Sequence, residues 1–342
     1  MTGAPFVHLH LHTEYSLVDS TVRIAQLMER CAADGMPAVA LTDQNNLFGM
    51  VKFYRKAMAA GIKPIIGADL RIANEDDPAR PWHLVVLCQD TAGYRSLSTL
   101  LTRAYLEGQV RGEPLLHREW LTAESCGGLI ALSGGLHGDV GHALHNDHYD
   151  LAQSLLDGWQ SVFGDRYYLE LVRTGRAGEE DTVQASLTLA SDTRTPVVAS
   201  NDVRFLDRDD FNAHEARVCI HDGRVLGDPD RPKHYSEEQY LRSGQEMAEL
   251  FADIPAALDN AREIARRCSL DLELGESVLP AFPVPQDQTE AEFLEAEARR
   301  GLETQLERIF EAREIPPNER DATSAPYFDR LRVELGVITS MG

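Results

Sequence analysis

The chain has 342 residues, 43% hydrophobic and 26% charged, close to globular averages, which excludes a disordered or collagen-like chain. That length suits roughly two domains, or a single α/β barrel of about 250 residues. Thirty-three Lys and Arg stand against 55 Asp and Glu, a formal net charge of −22, so most of the surface repels a duplex whose phosphates must be gripped by cations.

Short apolar or β-branched runs recur along the first 200 residues. The expected strands are Val7–Leu11, Ala38–Thr42, Pro64–Ile72, His83–Leu87, Leu129–Leu132, Tyr167–Leu171 and Val197–Ala199. Helical patterns fall between them at Ile24–Ala33, Leu47–Ala60, Tyr94–Leu106, Leu151–Phe163 and Glu180–Ser191. Strands alternating with helices predict βα units with parallel pairing, and seven of them suit a closed or distorted barrel better than an open sheet. After about Asn201 the alternation stops. Ser236-Glu-Glu-Gln239 is expected to open a helix as a capping box, and Glu246–Leu250 and Ala256–Arg267 continue the helical stretch. Leu279-Pro-Ala-Phe-Pro-Val-Pro285 breaks all periodicity. The expected division is therefore a first domain over 1–280 and a linker with the first helices of a further module over 281–342. In the latter, Leu294, Ala298, Leu302, Leu306 and Phe310 recur every four residues, and a second helix is expected from Tyr327 to Ile338.

No apolar run approaches the roughly 20 residues of a membrane span. Met1–His12 shows no basic segment ahead of an apolar one, so no secretory signal is expected. Cys31, Cys88, Cys126, Cys219 and Cys268 are scattered without a CxxC, which fits a reducing cytoplasm.

His8-Leu-His10-Leu-His12 is the sharpest chemical feature. On a strand, residues i, i+2 and i+4 share a face, so three imidazoles line one side of the first strand. Barrels build sites at the C-terminal ends of their strands, and the other expected strand ends are polar too. Thr42-Asp43-Gln44 follows the second strand, Asp69 lies in the third and His83 opens the fourth. Ser133-Gly134-Gly135 follows the fifth, Glu170 lies in the sixth, and Asn201-Asp202-Val203-Arg204 follows the seventh. A lone Asp after a strand is often only a helix cap; six polar ends beside a His triplet argue for one shared pocket, and His with carboxylate suits Zn²⁺, Mn²⁺ or Fe²⁺. His137, His142, His145 and His148 read as an exposed helix end and loop. Gly134–Gly138 lacks the Lys-Ser/Thr of a P-loop and reads as a turn.

These strand ends, in this order, resemble the polymerase and histidinol phosphatase (PHP) superfamily, and more narrowly the N-terminal part of the alpha subunits of bacterial replicative (family C) DNA polymerases. The residues carrying the resemblance are Phe6–Ser16 with Asp19, Ala40–Gly49, Gly61–Asp69, Tyr168–Leu171, Asn201–Phe205, His234–Ser236 and Leu250–Pro255. It implies an α/β fold: a distorted seven-stranded (β/α) TIM-like barrel followed by a C-terminal helical segment. It also implies up to three metals on nine ligands. His10, His12, Asp69 and Asp202 match one complete set, with Asp69 standing for the usual bridging Glu and His8 for an Asp just ahead of the His pair. His83 and Asp19 belong to partial sets. Gln44, Gly135 and Arg204 stand where metal ligands are expected, and arginine keeps its proton and cannot ligate.

The resemblance thus implies a degenerate metallohydrolase barrel serving as structural scaffold and docking site for a proofreading exonuclease subunit. It implies at most one Zn²⁺ or Mn²⁺ in the pocket. Template-directed synthesis, its Mg²⁺ and its carboxylates are expected beyond Gly342, with DNA, the sliding clamp and the clamp loader engaged through the rest of the subunit. The alternatives are an active metal-dependent phosphoesterase, acting as a 3′–5′ exonuclease or pyrophosphatase, and a free-standing histidinol-phosphatase-like enzyme. Arg204 is expected to pair with Asp19 or Asp43.

Overall fold

The computed structural model describes residues 6–276 and 280–341. They form two compact units, Met1–Leu272 and Glu273–Gly342. Leu279 and Gly342, named above, lie outside the described residues.

The first unit is built on a six-stranded sheet. Its strands are β1 (Ala38–Leu41), β2 (Lys63–Ile72), β3 (Trp82–Cys88), β6 (Leu129–Leu132), β7 (Tyr167–Val172) and β8 (Val197–Ser200), in that spatial order. A two-stranded ribbon, β4 (Gln109–Val110) and β5 (Glu113–Pro114), stands apart; the sequence reading missed it. It turns on Arg111 and Gly112, both at positive φ.

Val7–Leu11 is not a regular strand, yet it occupies the seventh position. The Ala40 and Thr42 N–H groups donate to the His8 and Leu11 carbonyls on one side. On the other, the His12 N–H donates to the Val203 carbonyl at 3.0 Å and the Val203 N–H to the His10 carbonyl at 3.1 Å. The segment therefore closes the curled sheet through single bridges.

Parallel pairing holds for β1 with β2, β6 with β7 and β7 with β8, but β3 runs antiparallel to both β2 and β6. The reason lies in the connection: no helix separates Ile72 from Trp82, and a short loop can only return the chain antiparallel. The reversal presents the first residues of β3, where its neighbours present their last, at the same end of the barrel. Gly67 begins the antiparallel pairing of β2 with β3. A Cβ there would lie 2.2 Å from the Val86 carbonyl oxygen, so only glycine allows the two backbones to approach.

Helices α1 (Ile24–Ala33), α2 (Met50–Ala59), α3 (Thr91–Glu107), α4 (Asp139–His145), α5 (Tyr149–Phe163) and α6 (Glu179–Thr193) surround the sheet, followed by α7 (Phe211–Asp222), α8 (Gly244–Leu250) and α9 (Pro255–Arg267). Each buries a stripe of helical period, as in α1, where Ile24, Leu27, Met28 and Cys31 face inward. Leu9 and Leu11 are fully enclosed; truncating such a side chain to Ala typically costs about 2–5 kcal/mol.

Two helix expectations are corrected. Ser236–Gln239 forms only a turn: the Gln239 carboxamide does accept from the Ser236 N–H, but the next residues are extended, paired through the Arg204 N–H on the Gln239 carbonyl and the Leu241 N–H on the Phe205 carbonyl, so no helix follows. The capping box belongs to Ser243 and Glu246, which open α8. Helix α7, which has little amphipathic pattern, was not expected.

The second unit contains α10 (Glu290–Ala312) and α11 (Pro317–Ser340). Thr289 and Glu292 form a reciprocal capping box that starts α10. Leu306 and Phe310, two of the apolar positions expected every four residues, are the buried residues of α10. Helix α11 starts ten residues before the expected Tyr327 and runs through Pro326.

Candidate metal centre and its arginine

The His10, His12 and Asp69 side chains meet at the strand-end side of the barrel, with one ligand atom from each lying within 4.8 Å of the others. Alternation along residues 7–12 sends these two imidazoles to the pocket and Leu9 and Leu11 to the core. Asp69 arrives from β2, whose backbone there exchanges bonds with the Asp43–Asn45 turn: the Asp69 N–H donates to the Asp43 carbonyl and the Asn45 N–H to the Asp69 carbonyl. All three residues are buried.

Each imidazole is oriented by a carboxylate on its Nδ1 side. His10 Nδ1 lies 2.9 Å from Glu170 Oε1, which also accepts from Ser200 Oγ at 2.5 Å. His12 Nδ1 lies 3.0 Å from Asp19 Oδ1. Both Nε2 atoms face Asp69 Oδ2, at 3.7 Å and 3.3 Å, without forming a hydrogen bond. Asp69 Oδ1 is likewise buried and unpaired. The two Nε2 atoms and Asp69 Oδ1, all buried without partners, fit a divalent cation, which wants lone pairs that nothing else uses.

Arg204 fills the other half of the pocket. Its Nη1 pairs with Asp19 Oδ2, and its Nε and Nη2 reach Asp202 Oδ1 at 2.8 and 2.5 Å. Asp19 accepts from both Arg204 and His12, which crowds the guanidinium against the imidazole. Asp202 receives two further donors, Arg176 Nη2 at 3.1 Å and Gln239 Nε2 at 2.8 Å. Its Oδ1 is 3.4 Å from His10 Nε2. The backbone at Asp202 has φ 44°, a left-handed conformation that Asp tolerates. The preceding Asn201 is held by its carboxamide N–H₂ on the Glu238 and Tyr240 carbonyls.

Asp202 is therefore near the metal cluster but wrapped by Arg204, Arg176 and Gln239. Asp19 is taken by Arg204 and His12. Asp43 is not a partner of Arg204: it accepts from the Thr13 N–H at 2.6 Å, from Thr13 Oγ1 and from Ser16 Oγ. His83 donates from Nδ1 to Asp69 Oδ2 at 2.8 Å and accepts from Arg71 Nη1 at 2.9 Å. Gln44 enters through its backbone, bridging Asp69 and donating to Ser16 Oγ. Gly135 lies in a 3-10 turn beside Val172. His8 sits deeper, its Nε2 on the Arg242 carbonyl at 2.8 Å. Sequence reasoning missed Arg176 and Gln239, which come from loops, and noted Glu170 without its role.

Electrostatics follow the geometry. Burial works against charge on His10, yet Glu170, Asp202 and Asp69 outweigh it and push the imidazole up to about 10. His12 is raised too: burial and Arg204 oppose the proton, while Asp19 and Asp69 hold it. Asp19 and Asp202 are buried, and Arg204 with the nearby imidazoles holds both carboxyls well below the usual range. Asp69 is held low against its burial by His83, His10 and His12. His83 is lowered, chiefly by burial, which agrees with a neutral ring that accepts from Arg71.

A family profile described as "PHP domain" matches residues 8–174, a span containing His10, His12, Asp19, Asp69 and His83. Residues 8–174 are thus similar to a PHP domain. Nearly the whole chain is also similar to DNA polymerase III subunit alpha. Identity is 47% over 337 residues with the Pseudomonas aeruginosa protein, covering 98% of this chain and 28% of that one. It is 46% over 343 residues with the Escherichia coli K12 protein, covering all of this chain and 29% of the relative. The chain thus spans less than a third of the curated relatives it matches. Among solved structures, a putative metal-dependent phosphoesterase from Bifidobacterium adolescentis overlaps this chain at a TM-score of 0.40 and 13% identity, covering 58% of this chain and 87% of that one. An amidohydrolase from Chromobacterium violaceum overlaps it at 0.44 and 14%, covering 62% and 96%. Overlaps this loose say nothing about activity.

Proposed function

We propose that this chain is the N-terminal region of a replicative DNA polymerase alpha subunit, and that its PHP barrel is a noncatalytic scaffold that docks the proofreading exonuclease subunit. Arg204 carries this reading. A fixed guanidinium stands between Asp19 and Asp202 and supplies the positive charge that a cation supplies in a metallohydrolase. The proposal places DNA synthesis, its Mg²⁺, its DNA contacts and the links to sliding clamp and clamp loader in the rest of the subunit, in the cytoplasm. None of the described helices is long and apolar enough to cross a membrane.

His10, His12 and Asp69 would hold one Zn²⁺ or Mn²⁺, and a bound ion there would supply Lewis acidity. Glu170 orients His10 for it and Asp19 orients His12. His83 holds Asp69 through the Oδ2 atom that faces both imidazoles. Arg204 and Arg176 hold Asp202 away from that duty.

The competing reading is an active phosphoesterase, favoured by the three unpaired donors. A two-metal mechanism needs ions about 3.5–4 Å apart. Among the described residues one cluster of ligands has formed. Metal analysis of protein purified without chelator, together with a phosphodiester hydrolysis assay, separates the two readings. One ion or none with no hydrolysis supports the scaffold; two ions with hydrolysis that EDTA abolishes overturns it.

A further inference from the structure

Among the described residues of the first unit, eleven large apolar side chains are exposed, and six of them lie on two stretches of chain, 48–58 and 105–110. Phe48, Val51 and Met58 line the outer face of α2 and the turn before it. Tyr105, Leu106 and Val110 lie at the end of α3 and on the ribbon. The two groups meet where the Phe48 and Tyr105 rings stand 6.4 Å apart. Phe48 is 60% exposed and Leu106 79%, exposures that scattered surface residues show singly but that in a cluster mark an interaction surface.

Charge distinguishes the α2 half of this face. Helix α2 carries Lys52, Arg55 and Lys56 and no acidic residue, in a chain whose net charge is −22; Lys52 is paired with Glu14 at 3.6 Å, which leaves Arg55 beside Val51 as the cation for a partner. The face also adjoins the pocket. Asn45, three residues before Phe48, donates from its backbone to Asp69 and from its side chain to the Pro114 carbonyl of the ribbon.

We infer that the Phe48–Tyr105 face is the docking surface for an acidic segment of a partner protein that carries apolar anchors. The anchors bury against Phe48, Val51 and Leu106, and the acidic groups face Arg55. Aliphatic side chains outnumber aromatic ones on this face, which suits a peptide better than a single strand of nucleic acid, whose bases stack on aromatic rings. The inference rests on the docking reading above and adds where the partner lands.

The test measures the affinity of the full chain for the proofreading exonuclease subunit of the same replisome, and separately for a dT30 oligonucleotide. Phe48→Ser is expected to weaken exonuclease binding about tenfold or more, as for an anchor residue. Arg55→Glu is expected to weaken it and flatten its dependence on salt, and Leu151→Ser, an exposed residue on α5, to leave it unchanged. All three sites are exposed, so circular dichroism is expected to show wild-type folding. If wild type does not bind the exonuclease, the docking reading fails and takes this inference with it. If wild type binds and neither Phe48→Ser nor Arg55→Glu weakens it, docking stands and this surface is wrong. If the substitutions impair dT30 binding instead, the face belongs to nucleic acid and the inference is overturned.

Discussion

Arg204 and Asp19 are 185 positions apart in sequence and form an ion pair with both side chains 4% exposed. The same guanidinium holds Asp202, so a single side chain neutralises two carboxylates inside the barrel. Removing one member of a buried pair typically costs about 3–5 kcal/mol, because the other charge is left uncompensated.

Arg204→Ala is therefore expected to lower the urea midpoint strongly. EDTA is expected to lower it less, since an ion at about 100 times its dissociation constant adds about 2.7 kcal/mol. Urea midpoints of wild type, wild type with EDTA and Arg204→Ala give the comparison. A larger effect of EDTA than of the substitution means metal is still the main neutralising charge and sinks the scaffold reading.

Metal uptake is expected to stop at one ion per chain and to release protons. His10, held up to about 10, and His12, also raised, must each give up a proton to bind, and ligation competes with that proton. Zn²⁺ affinity should then rise as pH is raised from 6 towards 9. Calorimetry in two buffers of different ionisation enthalpy counts the protons released. A pH-independent affinity contradicts this account of the ligands, as does a second tightly bound ion.

His8 makes acid stability pH-dependent in a defined window. Burial, against the pull of its bond to the Arg242 carbonyl, lowers it to about 4. The unfolded chain takes up this proton near pH 6.5 and the folded chain only near 4. Between those values the unfolded state binds more protons, so stability falls as pH falls, by on the order of 3 kcal/mol for this group. His10 has the opposite sign: its contribution is complete below pH 6.5 and is lost as pH rises through about 10. Replacing His8 with Gln should flatten the unfolding free energy between pH 6.5 and 4 and leave the alkaline limb alone. An unchanged acid limb means that the ring is protonated in the folded state.

The chain alone is expected to extend no primed template, because the proposed polymerase carboxylates lie outside it. A primer-extension assay on a clean preparation checks this, and template-dependent incorporation would falsify the placement of that module.

Much of the pocket was legible because strand alternation is local. His8, His10 and His12 share a face by spacing alone, Asp69 lies within a recognisable strand run and Arg204 follows one. What spacing could not carry is which carboxylate meets which cation. Asp43 looked available to Arg204, yet Thr13 and Ser16, from a different segment, already satisfy it. Ser236–Gln239 has the letters of a capping box and even its Gln239-to-Ser236 bond, but pairing of residues 239–241 with Arg204 and Phe205, from a distant segment, leaves no helix to cap. The reversal of β3 was readable in principle from the missing helix after Ile72, and the surrounding alternation obscured it.

The bridge between residues 10–12 and Val203 has a consequence for synthesis. His12 and Arg204 are 192 positions apart, and ribosomes add about 5–20 residues per second. The earliest segment of the barrel therefore waits on the order of 10–40 s for its second neighbour, with one edge unpaired and its imidazoles facing Asp19 and Asp69 without the arginine. Ring closure and charge balance arrive together, in the few residues from Asp202 to Arg204, so a nascent chain halted before them has neither.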